Sequence, residues 1–209
     1  MRCRPTCAPA QNARSPDDRR RRAPPAAANP ALFPVAETGL DSFNADDRAA
    51  ELNDGSYQNL SLEMRIQVGK NLERFIADHI HDGRSFAYET TLRKDITFRQ
   101  ANQARANGFL TVLLYVALDD VELNITRVAV RADGGGHSAP PDEVRRIHDA
   151  SMKNLSRAIQ EFDQVQVFDN SRHDSGPDLV LEATEGRIRY VAEGAPAWLR
   201  EVLWPTASR

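Results

Sequence analysis

The stretch "SFAYETTLRKD", residues 85–95, runs from apolar residues into a carboxylate, two hydroxyls and two cations before Asp95. It reads as a buried strand that delivers polar groups to one point at its C-terminal end, which is where open α/β sheets build their sites. Downstream, residues 94–107 read as a helix closed by Asn107 and Gly108. "TVLLYVAL" (111–118) then follows as a continuous apolar run, expected to be a strand buried on both faces. Upstream, Met64, Val68, Leu72, Phe75, Ile76 and Ile80 fall at helical spacing before Gly83, and "DSFNADD" offers a short strand running into Asp46. Farther along, a helix carries Arg127 and Arg131, and "ADGGGHSAPP" breaks it. Pro141 opens another helix with Val144, Ile147, Leu155, Ile159 and Phe162 on one stripe. "QVQVFDN" is a strand, residues 178–192 a hairpin turning near Glu185 and Gly186, and residues 198–204 a short final helix. Strands alternating with helices predict an α/β fold with a mainly parallel sheet and helices on both faces.

The 209 residues, 41% of them hydrophobic, suffice for one sizeable core. A net charge of −3 exerts no overall pull toward nucleic acid or membrane, and no apolar run is long enough to span a bilayer. The only cysteines, Cys3 and Cys7, are too close to the start to staple a core, so a cytosolic protein is expected. Residues 1–30 are rich in Arg, Pro and Ala, with "RRRR" at 19–22 and "PPAAANP" after it. Without an apolar period they are expected to form a disordered tail ahead of one domain over residues 31–209. A nucleic-acid arm is the weaker reading of that run, and a steep salt dependence of binding would reveal it.

Three polar clusters end predicted strands: "NADD" (44–47), "ETTLR" (89–93) and "DNS" (169–171). With "RVAVRADGGGH" between the last two, the ordered set "FNADD", "FAYETTL", "RV-x-x-R-x-x-GGGH-x-x-P" and "VFDNS" resembles the zeta-toxin family of P-loop kinases. The resemblance implies a three-layer P-loop-kinase-like fold and ATP- and Mg²⁺-dependent phosphorylation of a small hydroxyl acceptor, such as a UDP-linked amino sugar. An antitoxin protein is an implied partner. Asp46 matches the acidic residue beside the acceptor hydroxyl, where a carboxylate accepts the proton. Glu89, Thr91 and Arg93 match residues that hold the acceptor. Arg127 matches a lid arginine that neutralises the transferring phosphoryl, and Arg131 and one of Arg145 or Arg146 are candidates to share that role. Asp169 and Asn170 match positions near the nucleotide, and no metal-ligating set is implied.

Simpler roles exist for each residue. Asp46 could cap the helix after it, Glu89 and Thr91 the next one, and residues 169–171 could be a plain turn. Arg127 and Arg131 could form a solvated face, and His79 and His81 diverge too far to share a metal. Trp198 and Trp204 are expected to pack the last helix down.

The phosphate-binding G-x-x-x-x-G-K-[ST] is absent from the sequence: before Gly69-Lys70 stands Met64 instead of the first glycine, and Asn71 follows. In the family topology the strand leading into that loop lies between those of "SFAYE" and "TVLLYVAL". Both neighbours are therefore expected to lose a ladder partner. We expect residues 1–30 to derive from a shifted reading frame or a wrong start. Sequencing the coding region tests this, and finding no frame that encodes a glycine-rich loop upstream of Phe33 would refute it. Two functional expectations follow: an impaired phosphotransferase, or an inactive remnant that binds a partner without turnover.

Overall fold

The structure, a computed structural model, describes residues 40–134, 138–172 and 176–204, together with the backbone of residues 2–9. Seven strands form one sheet: β1 (Arg2–Pro9), β2 (Asp41–Phe43), β3 (Phe86–Tyr88), β4 (Phe109–Ala117), β5 (Gln164–Asp169), β6 (Asp178–Thr184) and β7 (Arg187–Val191). Their order is β2-β3-β1-β4-β5-β6-β7. The helices are α1 (Ala45–Glu51), α2 (Leu62–Asp82), α3 (Ile96–Ala106), α4 (Val121–Asp133), α5 (Pro141–Glu161) and α6 (Ala197–Leu203). The architecture is the mixed α/β sheet of a P-loop-kinase-like fold, with a C-terminal hairpin added. Among the described residues no helix is long and apolar enough to cross a membrane.

β2 pairs parallel with β3, and β4 with β5. β1 is antiparallel to both β3 and β4. The four strands β2, β3, β4 and β5 therefore point the same way and end at one edge of the sheet.

Residues 2–9 correct two expectations. Instead of belonging to a featureless tail, they form a strand, and they fill the slot between β3 and β4 that was expected to stand empty. Arg2 pairs with Val116 and Pro9 with Phe109, so the chain after Pro9 leaves at the edge opposite the polar clusters. The sequence shows no apolar alternation there, and Pro5 has no N–H for a central ladder. The remainder of 1–30 lies outside the described residues.

Local chemistry accounts for most element ends. Ser61 caps α2 by accepting from the Met64 amide (3.2 Å), and Gly83 ends it in the left-handed region at φ 66°. The β6–β7 turn carries positive φ at both Glu185 (52°) and Gly186 (71°), as a two-residue hairpin requires. Leu113, Tyr115 and Ala117 of β4 are fully buried, whereas Leu110, Val112, Leu114 and Val116 on its other face are half-buried. The expectation of full burial on both faces thus holds for one face only. Around the buried face, Phe98 and Ala101 of α3, Leu155 and Ile159 of α5, and Trp198 and Leu199 of α6 form the main core. A second cluster gathers Phe43, Val68, Ile76, Phe86 and Phe109. Trp198 is packed down as expected, but Trp204 is 60% exposed because α6 stops just before it.

Candidate functional site

Asn44 turns the chain from β2 into α1. Its side-chain oxygen accepts from the amides of Asp46 (2.9 Å) and Asp47 (3.3 Å). Asn44 is therefore the cap, and Asp46 sits inside the first turn. A carboxylate there gains from the helix dipole. Asp46 is half-buried, while Asp47 is exposed and accepts from the Tyr57 hydroxyl (3.0 Å).

β3 ends alongside. Phe43 is in register with Tyr88, and the Glu89 amide donates to the Phe43 carbonyl (3.1 Å), so the two strand ends are tied together. Between them lies a cleft of about 120 Å³, lined by Phe43, Asn44, Asp47, Tyr88 and Glu89. Asn44 and Asp47 belong to the "NADD" cluster, but the family resemblance assigns neither a role. The helix-cap signature of "FNADD" was the signal that could have identified Asn44.

The segment after Glu89 is tightly built. Thr90 Oγ1 accepts from the Leu92 amide (3.2 Å) and pairs with Thr97 Oγ1 (3.0 Å). Leu92 is fully buried with φ 55°, a left-handed conformation that costs a residue with a side chain about 1–2 kcal/mol. The Asn154 amide of α5 donates to its carbonyl (2.8 Å). Thr91 is half-buried, and Arg93 pairs with Glu143 at the start of α5 (3.4 Å). Neither Glu89 nor Thr91 caps α3. Its cap position is Asp95, which makes no side-chain capping bond.

At the ends of β4 and β5 a second group assembles. Asp169 Oδ1 accepts from the Ser171 amide (2.9 Å) and hydroxyl, and Ser171 Oγ accepts from the Asp119 amide (2.7 Å). The "DNS" turn thereby bridges the two strand ends, with the Asn170 amide donating to the Ala117 carbonyl (2.9 Å). Arg127 donates to the Asn170 carbonyl (2.8 Å), and Arg131, one turn on, donates to the Arg127 carbonyl (3.4 Å) and is exposed. The glycine connection after them lies partly outside the described residues. Arg145 links α5 back to α4 through Glu122 (2.8 Å), and that carboxylate raises its pKa further.

The structure thus brings Asp46 and Glu89 to one pair of strand ends, and Arg127, Asp169 and Asn170 to another. β3 and β5 are three strand positions apart, about 14 Å. β1 and β4 fill that interval. Because β1 runs antiparallel, the chain that follows it starts at the far edge of the sheet. The sequence has no G-x-x-x-x-G-K-[ST], and among the described residues no loop of that kind stands at the edge where the polar clusters gather. Nor, among the described residues, do three or more His, Cys, Asp or Glu side chains converge as a metal site.

Comparison with known proteins adds the family. The model of the Zeta toxin family matches residues 48–175, more than half of the chain. The match takes in Glu89, Arg127 and Asp169 and begins two residues after Asp46. A protein of Haemophilus influenzae, described only as "Uncharacterized protein", is 33% identical over 60 residues, or 29% of this chain. The stretch spans 43% of that relative's length. No solved structure matches. With this match over more than half of its length, taking in the clusters at 89–93 and 169–171, the chain belongs to the zeta toxin family.

Proposed function

We propose that the chain carries the acceptor-binding half of a zeta-toxin-type phosphotransferase, with a small hydroxyl compound such as a UDP-linked amino sugar as acceptor. Zeta-toxin kinases are generally ATP-dependent, and phosphoryl transfer in this chain is impaired because its sequence lacks the phosphate loop. The cleft between the ends of β2 and β3 is the observation that carries the reading. It sets an ordered helix N-terminus and the Glu89 carboxylate around one opening. In this reading Asp46 accepts the acceptor hydroxyl's proton, and Glu89, Thr91 and Arg93 hold the acceptor. Arg127 and Arg131 supply positive charge from the lid side. A cytoplasmic protein with an antitoxin partner fits the same reading.

Calorimetric titration of UDP-N-acetylglucosamine into the full chain tests it. Saturable binding is expected, and Glu89→Ala should weaken it about 10- to 100-fold, the scale of a hydrogen bond to a charged group. Absence of binding would remove the acceptor assignment. A second reading, an inactive remnant that binds without turnover, draws support from the direction of β1, which carries the following chain away from the site.

A further inference from the structure

The segment that joins the acceptor cleft to α3 is held in an unfavourable backbone state. Leu92 has no exposed surface and adopts φ 55°, a region that residues with a side chain rarely occupy. Such a state persists only where its surroundings over-determine it, and strained backbone of this kind clusters at ligand-binding segments. Here the surroundings come mainly from one helix. Along α5, Glu143 pairs with Arg93 (3.4 Å), Asn154 donates to the Leu92 carbonyl (2.8 Å), and Arg157 pairs with Asp95 (2.7 Å) and lies 4.0 Å from the Phe98 ring centroid.

These contacts are not equivalent. The two ion pairs are partly open to solvent and add little when screened by water. The Asn154 bond is half-buried and acts on the strained residue itself. The Leu92 carbonyl belongs to neither a helix nor a strand, so its bond to Asn154 does not repeat a secondary-structure bond. On the other side, the Leu92 amide is held by Thr90 Oγ1, and Thr90 is in turn bonded to Thr97 of α3. The strained residue is thereby held at its carbonyl by α5 and at its amide by Thr90, which is itself bonded to α3.

We propose that Asn154 is a positioning residue: by holding the Leu92 carbonyl it latches the 89–93 segment in the strained form that aims Glu89, Thr91 and Arg93 at the acceptor. The inference rests on the acceptor reading above. α5 also reaches α4 through Arg145 and Glu122, so one helix contacts both the acceptor segment and the arginine-bearing element.

The test uses the full chain and two variants. Asn154→Asp keeps the shape but has no amide N–H to donate, and Asn154→Ala serves if the added charge prevents folding. Amide hydrogen exchange is measured without ligand, and UDP-N-acetylglucosamine affinity by calorimetry. The latch predicts that exchange at Thr91, Leu92 and Arg93 rises about tenfold or more, the scale of a lost hydrogen bond, while amides of β4 and β5 stay within about twofold. Affinity should fall about tenfold in parallel, although the substituted side chain lines no part of the cleft. Unchanged exchange at residues 91–93 in both variants overturns the latch, as does a loosened segment with undiminished affinity. A parent chain that does not bind the sugar nucleotide overturns the acceptor reading instead, and the exchange measurement still decides whether Asn154 holds the segment.

Discussion

At the scale of single residues, His148 offers the clearest pH dependence. Burial pushes its pKa below the ordinary 6.5, against a smaller opposing pull from Asp149, and its buried Nδ1 has no hydrogen-bond partner among the described residues. The unfolded chain therefore takes up a proton before the folded one does. The stability tied to a neutral His148 is complete above pH 6.5 and declines as pH falls from there toward the lower folded value. Thermal melts of the parent and His148→Gln should diverge in slope between about pH 7 and 5, with the variant less acid-sensitive. Parallel curves would show that His148 contributes nothing to acid sensitivity. Asp46 is a second residue-scale test. In a chimera with a family-type strand and phosphate loop grafted before Phe33, Asp46→Asn should slow turnover on the order of 10²–10⁴. Because Asn44 supplies the cap, the variant should keep it, and the lost dipole interaction should cost about 0.3–1 kcal/mol of stability. Turnover at the parent rate would reduce Asp46 to a first-turn helix residue. Much of this was legible in the sequence: the carboxylates sit at strand ends that hydrophobic periodicity located, and Arg127 and Arg131 on a helix it placed between them. Leu92 was not. Nothing in "TTLRKD" distinguishes a left-handed leucine, since the state is imposed by Thr90 and by Asn154, 62 residues away.

At the scale of elements, the edge of the sheet away from the clusters is locked by Asp163. Its Oδ2 accepts from the Thr111 amide (2.7 Å) and hydroxyl (2.8 Å), and its other oxygen pairs with Arg105 (3.1 Å). Arg105 also donates to the Glu161 carbonyl. Asp163→Ala leaves the amide of the fully buried Thr111 without this acceptor. It should cost about 2 kcal/mol, a melting-point loss of about 4–8 °C. A loss below a degree would contradict the lock. β1 is the element that periodicity missed. An Arg-, Pro- and Cys-bearing octapeptide pairs along its backbone in a central slot, which its sequence pattern does not announce. Since Pro5 withholds a ladder donor, β1 amides should exchange faster than those of β4 and β5. Equal protection would mean that β1 is held by more than its ladder. The helices were legible because their signals are local: Ser61 and Gly83 bracket α2, and Pro141 opens α5.

At the scale of the whole molecule, two polar groups share one sheet edge, and the central strand between them runs the wrong way to deliver a phosphate loop there. The alternation of strands and helices made the first half of that arrangement readable. The second half depends on strand direction, which sequence pattern does not encode. The proposed function is that of an acceptor half-site without a phosphate cradle. Calorimetry of ATP with Mg²⁺ against the full chain decides it. Weak or undetectable affinity is expected under conditions where UDP-N-acetylglucosamine binds. A submicromolar ATP dissociation constant, about −8 kcal/mol or tighter, would contradict it.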